Sequence, residues 1–173
     1  VAQLPGFEEA GYDTAAAVLE ECAKFNEGVV APLNWDGDIK PSTFKDGQVA
    51  TTAGFKQAFK QFAKGGWQGL QHPTDFGGQG LPKTIASACI EMLNSANQAW
   101  TMYPGLSHGA YECLLAHGTQ AQKATYLPHL TTGHWTGTMC LTEAHCGTDL
   151  GMLRTKAEPQ TDGTYKLSGQ KIF

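Results

Sequence analysis

Charge is scarce in this sequence. Only 16% of its 173 residues are Asp, Glu, Lys or Arg, the formal net charge is −4, and no cluster of Lys or Arg offsets it locally. A nucleic acid or an anionic membrane needs such a cluster, so neither is an expected partner. Long apolar runs are also lacking: none approaches the ~20 residues of a membrane span, and the first residues lack the basic-then-apolar order of a secretory signal. The expected setting is the cytoplasm, or an organelle reached as a mature chain. The five cysteines form no C-x-x-C pair. They are expected to be reduced thiols, several of them buried as small hydrophobes. His108, His117, His129, His134 and His145 show no paired spacing of the zinc type, so no metal site is expected. Nor is there a phosphate loop: Phe76-Gly77-Gly78-Gln79-Gly80 follows no strand and precedes no Lys-Ser/Thr, and reads as a structural turn.

What is present is 41% hydrophobic residues, enough for one sizeable core. Apolar residues at Ala15, Val18, Leu19, Cys22, Phe25 and Val29 predict a first helix. Ala31 to Val49 has scattered Pro and Gly and predicts a long surface excursion, with room for a small hairpin at Asp46-Gly47. Thr51 or Thr52 can cap a second helix with the stripe Phe55, Ala58, Phe59 and Phe62, stopped by Gly65-Gly66. Trp67 to Pro82 is too rich in Gly and Pro for either periodic element. Lys83 to Trp100 carries the cleanest apolar stripe. A shorter helix is predicted after Pro104, with His117 on its apolar face, and Thr119 and Gln122 form a capping box for another that Pro128 ends.

From Trp135 the chain changes character. Met139-Cys140-Leu141 predicts a short buried strand that breaks into Thr142-Glu143 and Gly147-Thr148-Asp149. Two alternating segments, Arg154 to Glu158 and Thr164 to Ser168, then flank Asp162-Gly163, a hairpin signal. His145-Cys146 could suggest a thiolate beside its base, but sequence neighbours seldom face each other and no third residue orients them. Glu143 and Asp149 could pair for acid–base work. Their expected task is instead to accept backbone N–H bonds that hold the loop in shape. The hydroxyls and amides of Thr142, Gly147 and Thr148 remain, and suit the polar edge of a flat ligand and its phosphates.

At these residues the sequence resembles the acyl-CoA dehydrogenase family. Met139-Cys140-Leu141-Thr142-Glu143, Gly147-Thr148-Asp149, Thr155-Lys156-Ala157 and Ser168-Gly169-Gln170-Lys171-Ile172-Phe173 stand in that family's order. So do Gly66-Trp67-Gln68-Gly69-Leu70, Phe76 to Leu81, and His117-Gly118-Thr119 through Tyr126-Leu127-Pro128. The wording GTMCLTE and the stretch from Ala31 to Val49 resemble the longer branch that includes methylthiopropanoyl-CoA and long-chain acyl-CoA dehydrogenases.

The resemblance implies a mainly α fold: an N-terminal helical bundle domain over residues 1–134, then the first strands of a small β domain over 135–173. It implies FAD as cofactor, with Met139, Leu141, Thr142, Gly147, Thr148 and Phe173 at the flavin and Thr148 also serving the acyl-CoA. Thr148 stands where the family usually has serine, and Phe173 where a tryptophan often packs. Ala144-His145-Cys146 depart from the Pro and Ala common there. The implied reaction is α,β-desaturation of an acyl-CoA thioester, with electron-transfer flavoprotein as acceptor and a homo-oligomer at full length. The catalytic glutamate is expected beyond Phe173, in a second helical domain, so the chain taken alone is expected to be a truncated, inactive part. An acyl-CoA oxidase, or a non-catalytic acyl-CoA- or protein-binding module on the same scaffold, is the alternative.

Overall fold

A computed structural model describes residues 1–172. The chain is mainly helical with a few short strands, and divides into two compact units, Val1–Gly137 and Thr138–Phe173.

In the first unit α1 spans Tyr12–Phe25 and continues through a wide π turn, Asn26–Val30, and a tight turn, Ala31–Leu33, into α2, Asn34–Ile39. The helical path thus runs well past Ala31, where the sequence predicts an irregular excursion. Asp36-Gly37 has the look of a turn signal but sits inside α2. Glycine is needed there for space, since a Cβ at Gly37 would lie 2.9 Å from the Phe55 ring. The hairpin β1, Thr43–Lys45, with β2, Gln48–Ala50, does form, and Asp46 and Gly47 both have positive φ, 52° and 76°, as its two-residue turn requires.

α3 spans Phe55–Lys64 and buries Phe55, Ala58 and Phe62. Its cap is Gly54 rather than a threonine; the Thr52 hydroxyl instead donates to the Lys40 carbonyl at 3.0 Å. The segment 67–82 is held by its own backbone bonds. Gly78 packs so tightly on the His72 carbonyl that no side chain fits, which confirms a structural turn for this glycine run.

The helix α4, Lys83–His117, passes through Pro104 without ending. Its break lies earlier, at Asn97, where φ −165° and ψ 92° are extended. Asn97 acts as an internal N-cap: its Oδ1 accepts from Trp100 N at 3.0 Å, and its Nδ2 donates to Val30 O at 3.4 Å. The Leu93 carbonyl, near the break, accepts from the Thr101 hydroxyl at 3.0 Å instead. Asn97→Ala removes both bonds at a position 1% exposed. We expect it to lower unfolding free energy by about 2 kcal/mol, read from urea denaturation; a change below about 0.5 kcal/mol contradicts the capping role.

α5 spans Gln120–Thr131 with the predicted Thr119/Gln122 capping box intact. It runs three residues past Pro128, because burial of Leu127, Leu130 and Thr131 outweighs one lost backbone bond. Two core clusters sit against α1, α3 and α4: one around Val30, Phe55, Phe62, Leu93 and Trp100, the other around Cys22, Leu70, Ala86 and Cys89. A third joins α4 to α5 through Tyr111, Leu127 and Leu130. His117 is exposed, not on a buried face, and Cys113 is exposed as well. No described helix is long and apolar enough to cross a membrane.

In the second unit Thr138 to Leu141 form no strand, and Met139 and Cys140 are exposed. A strand needs a partner for its N–H and C=O groups, and none lies beside this run among the described residues. The hairpin does form: β3, Lys156–Pro159, pairs antiparallel with β4, Tyr165–Ser168, in the register Lys156↔Ser168. β4 ends at Ser168, where the alternating segment ends. Every residue of the hairpin is exposed, and its outer edges have no partner strand among the described residues.

Candidate functional site

The loop from Leu141 to Thr155 is built around one carboxylate. Glu143 is 4% exposed. Its Oε2 accepts from Arg154 N at 2.9 Å, and its Oε1 from Thr155 N at 3.0 Å and Lys171 Nζ at 3.0 Å. Lys171 Nζ also donates to Leu141 O at 2.9 Å, and Ile172 N donates to Thr142 O at 2.8 Å. One side chain thereby ties the loop's start, its exit into β3 and the residues after β4. The Arg154 and Thr155 amides, helped by Lys171, hold the Glu143 carboxyl well below the usual carboxylate range. A carboxylate so stabilised is a poor proton acceptor, and its bonds to two amides and an ammonium make Glu143 a structural hub.

Glu143 and Cys146 exchange backbone bonds at 2.8 and 3.2 Å, which closes a four-residue turn. Asp149 Oδ1 accepts from Gly151 N at 3.1 Å, so both loop carboxylates serve backbone amides, as the sequence suggests. His145 Nε2 lies 2.9 Å from Met152 O and 3.6 Å from Glu143 Oε2. Ligand atoms of Glu143, His145 and Cys146 fall within 4.8 Å of one another, a spacing a cation could use. The Lys171 ammonium already supplies the positive charge at that carboxylate.

This clamp leaves outward the residues singled out from the sequence. Met139 is 57% exposed, Thr142 and Thr148 are exposed, and Leu141 and Gly147 are half-buried. A Cβ at Gly147 would touch the Thr142 side chain at 3.4 Å, so the two positions abut. An exposed thioether and two exposed hydroxyls on a fixed loop fit the flat apolar face and polar rim of a flavin. Phe173 lies outside the described residues.

The helical unit holds two features that sequence periodicity passed over. The first is a cavity of about 280 Å³ beside α4, walled by Phe62, Leu70, Ile90 and Leu93. Gln68 also borders it; its Nε2 donates to Pro104 O at 3.3 Å, and its buried Oε1 has no partner among the described residues.

The second is His72, 0% exposed and stacked on Tyr111 with centroids 3.5 Å apart. Its Nδ1 meets Thr131 Oγ1 and its Nε2 meets His108 Nδ1, each at 3.1 Å. A lone histidine between Gln71 and Pro73 gives no periodic signal; only the fold reveals its partners. Burial, and then the neighbouring His108, push the His72 imidazole down to about 4 from 6.5. The folded protein therefore holds it neutral, while the unfolded chain takes up a proton below about pH 6.5. Its contribution is intact above pH 6.5 and is lost as pH falls toward 4. The expected loss is on the order of 2–3 kcal/mol. Urea titrations at several pH values check this: His72→Phe should flatten the slope between pH 6.5 and 4, and an unchanged slope would assign it elsewhere.

The sequence pattern described as "Acyl-CoA dehydrogenase, N-terminal domain" matches residues 12–134. The 3-methylmercaptopropionyl-CoA dehydrogenase of Ruegeria pomeroyi is 44% identical over 100% of the chain and 29% of its own length. A broad-specificity linear acyl-CoA dehydrogenase of Mycobacterium tuberculosis is 34% identical over 96% of the chain and 27% of its own length. Among solved structures, butyryl-CoA dehydrogenase from Megasphaera elsdenii superposes with a TM-score of 0.79 at 25% identity, over 94% of this chain and 41% of that one. The acyl-CoA dehydrogenase of Bacillus anthracis, solved with FAD, has a TM-score of 0.75 at 24% identity, over 95% of this chain and 27% of that one; at that identity it speaks to the fold alone. The chain spans less than a third of the curated relatives' length.

Proposed function

We propose that this chain, which belongs to the acyl-CoA dehydrogenase family, works within a flavin-dependent enzyme that desaturates an acyl-CoA thioester between its α and β carbons. The observation that carries this reading is the Glu143-clamped loop, with Met139, Thr142 and Thr148 facing outward. Residues 1–134 are assigned to the helical domain and 135–173 to the start of the β domain.

FAD, when bound, would supply the acceptor for the hydride leaving the β carbon. Met139 and Leu141 would lie against the ring, the Thr142 hydroxyl and amide would bond its polar edge, and Gly147 would let the backbone approach. Thr148 would serve the phosphates and the acyl-CoA. Glu143 is committed to the clamp and is not the proposed base for the α proton. Electron-transfer flavoprotein is the proposed acceptor, and a homo-oligomer the proposed assembly.

Purification of the full-length protein tests this. A yellow protein whose flavin band bleaches anaerobically on addition of an acyl-CoA, and recovers with electron-transfer flavoprotein, is expected. A colourless protein, or a flavin that no acyl-CoA bleaches, overturns it. Rapid recovery with oxygen alone would replace the dehydrogenase assignment with an oxidase.

A further inference from the structure

Two buried thiols meet where α1 packs on α4. Cys22 is 1% exposed and Cys89 3% exposed, in one core cluster although 67 residues separate them in sequence. Cys22 Sγ lies 3.8 Å from the Cys89 carbonyl oxygen, to which its thiol donates. Asn26 Nδ2 donates to Cys22 Sγ at 3.3 Å. The two differ in access: Cys89 lines the 280 Å³ cavity, and Cys22 does not. Small molecules that enter the cavity therefore meet Cys89 before Cys22, which packs in the same cluster.

We propose that Cys22 and Cys89 are an oxidisable pair, in which Cys89 is attacked from the cavity by a peroxide and Cys22 resolves it, closing a disulfide that ties α1 to α4. Interaction with the Cys22 side chain pushes the Cys89 thiol down against its burial, and the same interaction, with burial, pushes the Cys22 thiol up. Cys89, which lines the cavity, is accordingly the nucleophile, and Cys22, packed in the same cluster, the resolving thiol.

The chemistry balances without a further reagent. The Cys89 thiolate attacks the peroxide O–O bond, forming a sulfenic acid and releasing hydroxide or alkoxide, which takes up the thiol proton. Cys22 then attacks the Cys89 sulfur; the S–S bond forms, the S–O bond breaks, and water leaves with the Cys22 proton. Two thiols lose two electrons and hydrogen peroxide becomes two waters. The other three cysteines, two exposed and one half-buried, belong to neither step.

The test uses the full chain with Cys113→Ser, Cys140→Ser and Cys146→Ser, treated with hydrogen peroxide under native conditions, then alkylated in denaturant and weighed intact. The expected result is loss of two hydrogens, no alkylation, and a thermal midpoint raised by at least about 5 °C that dithiothreitol reverses. Adding Cys22→Ser should stop the reaction at a sulfenic acid that a 1,3-dione traps on Cys89. Adding Cys89→Ser should leave Cys22 unmodified. Peptide mapping of the oxidised wild-type chain gives the same answer if the triple variant does not fold. Full alkylation of both thiols after peroxide, or Cys22 oxidised as fast without Cys89, overturns the proposal.

Discussion

Replacing Trp100 with alanine should cost the helical unit about 5 kcal/mol, the largest loss expected of any single substitution. The side chain is 0% exposed. Its ring meets Phe62 edge-on at 5.5 Å and Phe25 at 6.4 Å, and its indole Nε1 donates to Phe55 O at 3.1 Å. Truncation opens a cavity among three helices and leaves the Phe55 carbonyl buried without that donor, so two penalties add. Against a total stability of about 5–15 kcal/mol, that leaves the unit marginal. Urea denaturation followed by tryptophan-independent circular dichroism checks it. A Trp100→Phe variant should recover part of the packing but not the bond; a loss under about 2 kcal/mol for alanine would mean this position is not the centre of the core.

Glu143→Ala has the larger consequence for the second unit. It strips the Arg154 and Thr155 amides and Lys171 of a shared acceptor at once, in a unit whose hairpin is wholly exposed and so contributes little burial of its own. Amide exchange at Arg154 and Thr155 should accelerate at least about 100-fold, with α1 to α5 unchanged. Glu143→Gln should fall between, since one carbonyl oxygen remains. The folded carboxyl titrates below its ordinary 4.5, so the clamp is fully present above that pH and weakens only on stronger acidification. Unchanged exchange in the alanine variant would contradict the hub.

Features written in local chemistry were legible before the fold was known. The Thr119/Gln122 capping box, the Asp46-Gly47 turn and the hairpin around Asp162-Gly163 each depend on a few neighbouring residues. The backbone-binding role of Glu143 and Asp149 was also readable, though its donors at Arg154, Thr155 and Lys171 were not. Features set by distant packing were hidden. Gly37 resembled a turn residue because the Phe55 ring that requires it lies in another helix. Pro104 resembled a helix boundary, yet the break moved to Asn97, whose side chain completes the cap and reaches Val30. Met139 to Leu141 have a strand's composition but no neighbouring strand among the described residues, so composition misled. His72, and the cavity that Cys89 lines, depend on side chains gathered from separate segments.

The central claim is that the clamped loop presents Thr142 to the flavin edge. It is tested most directly by FAD affinity of the full-length apoprotein carrying Thr142→Val, with Glu143 and its partners untouched. The account predicts binding weakened about 10-fold, the worth of one lost hydrogen bond, with an unchanged circular dichroism spectrum. FAD binding equal to that of the wild-type protein would contradict it.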